Sequence, residues 1–380
     1  MKFIHLSDLH FGKRLNEFSL LDDQRYIWKK ICDIIQTEQP DAVILAGDIY
    51  DKSVASAEAV QLFDQCLSQL VELTPAILMI SGNHDSTERI SFGSDLLKSS
   101  HVYIAPVFHG KITQVMLQDD FGDVNFFLLP FVRPPQVRAY FPDEKIDDYQ
   151  DAMNVLLAHT PLDTSVRNVM VTHQTIIGAS MFGTEERPIG GTDQISGALF
   201  HSFDYTALGH IHKAQALERE NIRYCGSPLK YSLSEVAYEK SVTVVELREK
   251  GEFYVREVAL HPLHDMREIR GSYAELTARS TYAGTKTDDY LHITLTDETD
   301  IPDAISRLRV IYPNLIKLDY DNSRTRKRQE VIAIKDKAEE NPFDLFEKLY
   351  KTQNNQEMTI EQKTFVQNLI TKIWDEEEHA

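Results

Sequence analysis

Residues Ala42 to Asp51 read AVILAGDIYD, an apolar run that stops at Gly47-Asp48 and is followed three positions later by a second acid, Asp51. A short apolar run ended by glycine reads as a buried strand. In an α/β sheet ligands gather at the carboxyl ends of strands, which puts Asp48 at the mouth of a cleft. Gly47 lets the backbone turn there without interference from a Cβ. One carboxylate has two oxygens, enough to bridge a pair of metal ions, and that is the role expected of Asp48.

The surrounding chain repeats the pattern. Lys2 to Ser7 reads as a strand running into Asp8-Leu9-His10, where residues two apart on extended backbone face the same way. Ala76 to Ile80 is a third strand, ending at Gly82-Asn83-His84-Asp85. Between these strands, Leu20 to Gln39 and Ala55 to Leu73 carry helical periodicity, so the order is that of a parallel sheet with crossover helices. Short β-like runs between His101 and Leu129 predict a second sheet, to which Ser241–Leu247 and Glu252–Val258 are assigned. Phe131 to Pro135 reads as a proline-interrupted loop and Tyr149 to His159 as a helix. Asn168 to Thr172 is a strand ending at His173, Gly178 to Gly197 a long loop, and Asp204 to Leu208 a strand leading into Gly209-His210-Ile211-His212. A lone histidine more often packs or caps than ligates. Five strand-terminal segments in one chain, each with a ligand-type side chain, point instead to a metal centre.

At 380 residues the chain has room for two domains or more, and 42% hydrophobic with 26% charged content is ordinary for a globular protein. No window approaches a membrane span, and the amino terminus reads straight into a strand, which predicts no secretory leader and a cytoplasmic protein. Cys32, Cys66 and Cys225 have no ligand spacing and are expected as reduced thiols. A net charge of -19 argues against unaided binding to nucleic acid, although bound metals invert the local field.

These segments resemble the blocks of the calcineurin-like metallophosphoesterases, and within that superfamily the chain looks most like the SbcD family of nuclease subunits. SDLHFG at Ser7, THQTIIGAS at Thr172, ALGHIHKAQ at Ala207 and RYCGSP at Arg223 carry the closer likeness. The resemblance implies an α/β fold: a two-sheet metallophosphoesterase sandwich flanked by helices, with a small α/β capping domain and a C-terminal helical pair. It further implies one metal held by Asp8, His10, Asp48 and His212 and a second by Asp48, Asn83, His173 and His210. Such mixed oxygen and imidazole donors suit Mn²⁺ or Fe²⁺, and the resemblance implies Mn²⁺. His84 is expected as the general acid for the leaving 3′ oxygen and Asp51 as the acid that orients it. Lys13, Arg14, Arg133 and Arg138 are candidate phosphate contacts.

The domains expected are 1–262 for the nuclease, 263–322 for the cap, 323–340 for a linker containing the basic cluster Arg324, Arg326, Lys327 and Arg328, and 341–380 for the helical pair. That pair spans Pro342 to Tyr350, with Phe343, Leu345, Phe346 and Leu349, and Thr359 to Trp374, with Phe365, Leu369, Ile370, Ile373 and Trp374. Two short helices cannot bury such faces alone. The resemblance assigns them to an SbcC-type ATPase, and also implies a DNA substrate and a homodimer within a heterotetramer, with the helices after Leu20 as its expected interface. It implies a 3′–5′ double-strand exonuclease and single-strand endonuclease. The alternative is a stand-alone phosphodiesterase or phosphatase for small nucleotides, which shares the metal site but needs neither cap nor tail.

Overall fold

In the computed structural model the residues described are 1–180, 193–323, 325, 343, 346, 347, 350 and 357–377. They fall into two compact units, one made of Met1–Ile269, Leu276–Ile293 and Asp303–Leu318, the other of Arg270–Glu275, Thr294–Pro302 and the chain from Asp319 onward.

In the first unit, Lys2–Leu6, Ala42–Ala46, Ile77–Ile80 and Val102–Ala105 lie parallel, with Lys240–Leu247 and then Phe253–Leu260 added antiparallel beside Lys2–Leu6. The helices Leu21–Glu38 and Ala57–Leu73 cover its outer face through Ile27, Trp28, Ile31, Leu62, Phe63 and Leu70. A second six-stranded sheet runs in the order Gln215–Leu217, Arg219–Tyr224, Tyr205–Gly209, Arg167–His173, Gly122–Leu129, Thr113–Asp119. Its outer face is covered in part by the helix Tyr149–Ala158. The inner faces of the two sheets meet over Phe3, Ile44, Leu78, Phe126, Val171 and Tyr205, with the Phe3 ring edge-on to Phe126 and Tyr205 at 5.8 and 5.5 Å.

Three strands join a different sheet from the one expected. Val102–Ala105, Lys240–Leu247 and Phe253–Leu260 belong to the first sheet and not to the second. Along Lys240–Leu247, Val242 and Val244 face the helices while Val245 and Leu247 face the other sheet, so apolar side chains on both faces leave a local pattern with no indication of which sheet it joins. Pro134–Arg138, within the expected proline loop, is a short helix with proline in its first turn, where the missing N–H costs nothing. The loop expected over Gly178 to Gly197 lies largely outside the described residues, and its far end, Gln194–Ile195, pairs with Thr175–Ile176. The three cysteines are free thiols.

Strand, helix, strand, helix, strand follows from Met266 to Tyr320, with a further short helix at Arg279–Tyr282. Much of this stretch shares the first unit: the buried Asp23 carboxylate accepts from the backbone N–H of His264 at 3.2 Å, from its Nδ1–H at 3.0 Å and from the Tyr290 hydroxyl at 2.8 Å. In the second unit Asp297 accepts from the Tyr273 N–H at 2.7 Å, and the helix Ile360–Glu377 leaves Phe365 and Leu369 exposed. The basic cluster Arg324, Arg326, Lys327 and Arg328 lies outside the described residues, as do most of Pro342 to Tyr350 and the side chains of Ile370, Ile373 and Trp374.

At the end of the sandwich remote from the strand carboxyl termini, buried Arg167 joins the sheets. Its guanidinium pairs with Asp119 and donates to the carbonyls of Gly122, Leu247 and Arg248 at 2.7, 3.2 and 2.9 Å. Burial works against the Asp119 charge, but Arg167 and the Met1 ammonium prevail and hold its carboxyl down to about 2. Arg167→Met leaves Asp119 with only the Met1 ammonium and strips three carbonyls of their donor, and should be destabilising by about 2–3 kcal/mol, read from urea midpoints at neutral pH. Because the folded pKa is depressed, the contribution is complete above the ordinary carboxylate pKa of about 3.9. The gap between wild type and variant should therefore shrink as pH falls from there toward about 2. A gap independent of pH would refute this account of the pair.

Candidate metal centre

The loops after Lys2–Leu6, Ala42–Ala46, Ile77–Ile80, Arg167–His173 and Tyr205–Gly209 converge at one end of the sandwich. Backbone bonds zip the first two together: Asp8 N–H to the Gly47 carbonyl at 3.0 Å, His10 to Asp48 at 3.0 Å and Phe11 to Ile49 at 2.9 Å. Three glycines permit the approach. A Cβ on Gly82 would lie 2.1 Å from Asp48 Oδ1, one on Gly47 2.5 Å from His173 Nδ1, and one on Gly209 2.0 Å from the Ala46 carbonyl oxygen.

Asp8, His10, Asp48 and His210 sit at φ of 54°, 44°, 51° and 101°. Non-glycine residues adopt such values rarely, and they collect at functional sites. Strand alternation, the expected cause, is therefore not what aligns Asp8 with His10: the strand stops at Leu6, and two left-handed turns swing both side chains inward. His210 and His212 part company as well, each serving a different half of the centre.

On one side His10 Nε2 lies 3.2 Å from His212 Nε2 and 4.0 Å from Asp8 Oδ1. On the other, Asn83 Oδ1 lies 3.1 Å from His173 Nε2 and 3.0 Å from His210 Nδ1. Asp48 Oδ2 stands between, 3.7 Å from His10 Nε2 and 3.4 Å from His173 Nε2. All seven residues expected from the sequence as ligands thus come together, and three overlapping triplets drawn from Asp8, His10, Asp48, His84, His173 and His212 have ligand-spaced donor atoms. Imidazole nitrogens facing one another and sharing carboxylate oxygens fit divalent cations.

Burial opposes charge throughout this cluster. It drives His210 down to about 3, reinforced by the charge on His173, and also lowers His10. Burial pushes Asp8 up. Asp48 and His173 resist it by facing each other: the carboxylate stays well below its ordinary value, and the imidazole rises to about 9.

His84 stands beside this group, its Nε2 4.0 Å from Asp48 Oδ2 and its ring about a third exposed. Its N–H donates to Asp48 Oδ1 at 2.9 Å, and its Nδ1–H donates to the main-chain carbonyl of Asp51, also at 2.9 Å. The expectation for Asp51 needs correcting here. What meets His84 is the carbonyl, while the carboxylate pairs with Lys13 Nζ at 2.7 Å and lies 3.8 Å from His10 Nδ1. Lys13 is accordingly committed to Asp51. Arg14 donates to the Glu17 carbonyl, Arg138 to that of Ile146 at 2.6 Å, and Arg133 lies over the Phe131 ring.

Four residues are not marked as part of the site by the sequence reading. Asp85, the last residue of the Gly82 tetrad, accepts from the N–H groups of Ile49, Tyr50 and Gly82 at 3.1, 2.9 and 2.9 Å and so ties two ligand loops together. Burial, then the charge of Asp48, lifts it to about 6. Its place in the tetrad is a usable signal. Tyr231, Glu235 and Lys240 surround His212 from a stretch without any motif.

Gly209→Ala should lower metal-dependent phosphodiester hydrolysis at least about 10²-fold, since ångström displacements at a reacting site cost that much. Circular dichroism should stay native while initial rates are measured, and a fully active variant would show that the glycine contact is not needed.

Residues 1–214 match the calcineurin-like phosphoesterase family, and residues 262–354 match a family described as type 5 capsule protein repressor C-terminal domain. The chain is 34% identical over 388 aligned residues to the SbcD subunit of the SbcCD nuclease of Staphylococcus epidermidis, covering 99% of this chain and 100% of that one. The Staphylococcus saprophyticus protein of the same name is 32% identical over 386, covering 99% of both. A dimetal phosphatase from Danio rerio superposes with a TM-score of 0.42 at 10% identity, covering 68% of this chain and 96% of that one. A calcineurin-like phosphoesterase domain on Asp48 and its imidazoles, followed by the second matched domain, makes this chain a metal-dependent phosphodiester hydrolase that belongs to the SbcD family of nuclease subunits.

Proposed function

We propose that the chain is a two-metal, Mn²⁺-dependent DNA nuclease that acts as a 3′–5′ double-strand exonuclease and a single-strand and hairpin endonuclease. It works with an SbcC-type ATPase in DNA end processing, repair and recombination. The observation that carries the reading is the position of Asp48 Oδ2 within 3.7 Å of His10 and 3.4 Å of His173, one carboxylate facing both halves of a seven-residue cluster. Asp8, His10, Asp48 and His212 would hold one ion, and Asp48, Asn83, His173 and His210 the other.

Bound ions supply the Lewis acidity that activates water and the phosphate together. The chain's own part is to place them and to manage the leaving group. With Nδ1–H fixed on the Asp51 carbonyl, His84 presents Nε2 toward the cleft. In its doubly protonated form the ring donates the Nε2 proton to the departing 3′ oxygen and is left neutral, with Nδ1–H still on the carbonyl. Asp51 orients that ring through its main chain, and its carboxylate keeps Lys13 beside the cleft.

The division into a nuclease domain (1–262), a cap (263–322), a linker (323–340) and a partner-binding helical motif (341–380) belongs to the same reading. It is supported by the exposed Phe365 and Leu369 on Ile360–Glu377, apolar side chains suited to an ATPase partner's coiled coil. Among the described residues no helix is long and apolar enough to cross a membrane. The site of action in this reading is the cytoplasm. For the homodimer the reading keeps the helices after Leu20 as the interface, where Val60 and Val71 of Ala57–Leu73 are exposed. Phe92 and Leu96, 89% and 80% exposed, follow the His84 loop in sequence and add apolar surface.

Labelled duplex and hairpin DNA should be cut in Mn²⁺ and spared in chelator, with small cyclic and mononucleotide esters poor substrates. The reverse preference would favour the small-nucleotide alternative. His84→Ala should lose about 10²–10⁴ in turnover while metal analysis still finds both ions; lost metals or near-normal turnover refutes the acid role. Removing residues after Asn341 should leave the metal-dependent activity and abolish co-purification with the ATPase.

A further inference from the structure

Among the described residues, His212 is the one histidine of the site whose ring is hydrogen-bonded to a carboxylate from outside the ligand set. Glu235, at the end of the short turn Leu233–Glu235, is 2% exposed. Its Oε1 accepts from His212 Nδ1–H at 3.1 Å and from the Tyr231 N–H at 3.3 Å, and its Oε2 from Lys240 Nζ at 2.5 Å. The same ammonium donates to the His212 carbonyl and to Ser227 Oγ, both at 2.8 Å. Lysine and carboxylate therefore fix the ring and the main chain of one residue together. Tyr231 completes the clamp: its ring stands edge-on to His10 at 5.4 Å and to His212 at 5.7 Å, and its hydroxyl donates to the Leu9 carbonyl at 2.5 Å.

The other half is built differently. His173 Nδ1–H donates to a neutral main-chain carbonyl, that of Ala46, at 2.8 Å. His210 Nδ1 faces the Asn83 amide oxygen at 3.0 Å, a fellow ligand of that half and not a group behind the ring. A carboxylate behind an imidazole fixes its tautomer and makes the far nitrogen a better donor, and removing such a group costs about 10- to 100-fold in metal affinity.

We propose that Glu235, held by Lys240, is a positioning residue that makes the Asp8–His10–His212 half of the centre the tighter of its two ion sites, so that this half fills first. The proposal rests on the dinuclear reading above. The competing description is a buried ion pair that only supports the fold, in which case both sites should respond together.

Titration of the full-length, metal-stripped chain with Mn²⁺, followed by calorimetry and by the electron paramagnetic resonance of free Mn²⁺, separates the two. Wild type should show a tight and a weaker step. Glu235→Gln should weaken the tight step about 10- to 100-fold and leave the other in place, with DNA hydrolysis recovering in excess Mn²⁺. Glu235→Gln leaves the Lys240 charge buried, so the double variant Glu235→Gln/Lys240→Met, which removes both charges, separates loss of the carboxylate from a stranded ammonium and should repeat the same selective loss of the tight step. Two unchanged steps in both variants, or two steps that fall together, overturn the proposal while the dinuclear reading stands. A wild-type chain that takes up fewer than two ions overturns both.

Discussion

The structure depends on one buried carboxylate. Asp48 stands where the carboxyl ends of two sheets meet, and its oxygens face His10, His173 and the N–H of His84 at once. An anion so far from water is tolerable only if cations or protons surround it. The fold provides that by bringing backbone to within a hydrogen-bond length of backbone: Gly47, Gly82 and Gly209 occupy positions where any side chain would strike Asp48, His173 or the Ala46 carbonyl. Four ligands in left-handed conformations are the conformational cost, offset by the bonds between the Asp8 and Asp48 loops and by the three N–H groups gathered on Asp85.

The two ends of the sandwich divide the labour. At one, Arg167 ties the sheets with an ion pair to Asp119 and carbonyl contacts that are complete without a ligand. At the other, ring nitrogens confront one another across about three ångströms, an arrangement that ions resolve. Rigid strands carry both. The net charge of -19 is no obstacle to a phosphodiester substrate at such a site, because bound divalent ions dominate the field that the phosphate meets.

Much of the site was legible in the chain because each ligand stands at or just past the end of a strand, most of them near a glycine or a second ligand, so Asp8, Asp48, Asn83, His173 and His210 could be read off local pattern. Long-range pairing was not legible. Lys240–Leu247 is apolar on both faces and fits either sheet equally well. Nor does any pattern mark Glu235, whose meaning comes from a contact with His212 made 23 residues away in sequence. For Asp51 the residue was visible but not which of its oxygens turns to His84, since that is set by the course of the loop.

By itself, then, the sequence determined which strands break at ligand-type residues, and hence the class of chemistry, because strand endings and glycines are local properties of the chain. Only the tertiary structure decided how those endings share Asp48 between two halves, and that one half is backed by a buried carboxylate and lysine while the other leans on a main-chain carbonyl. Such asymmetry arises from distances between remote segments, which no local spacing encodes.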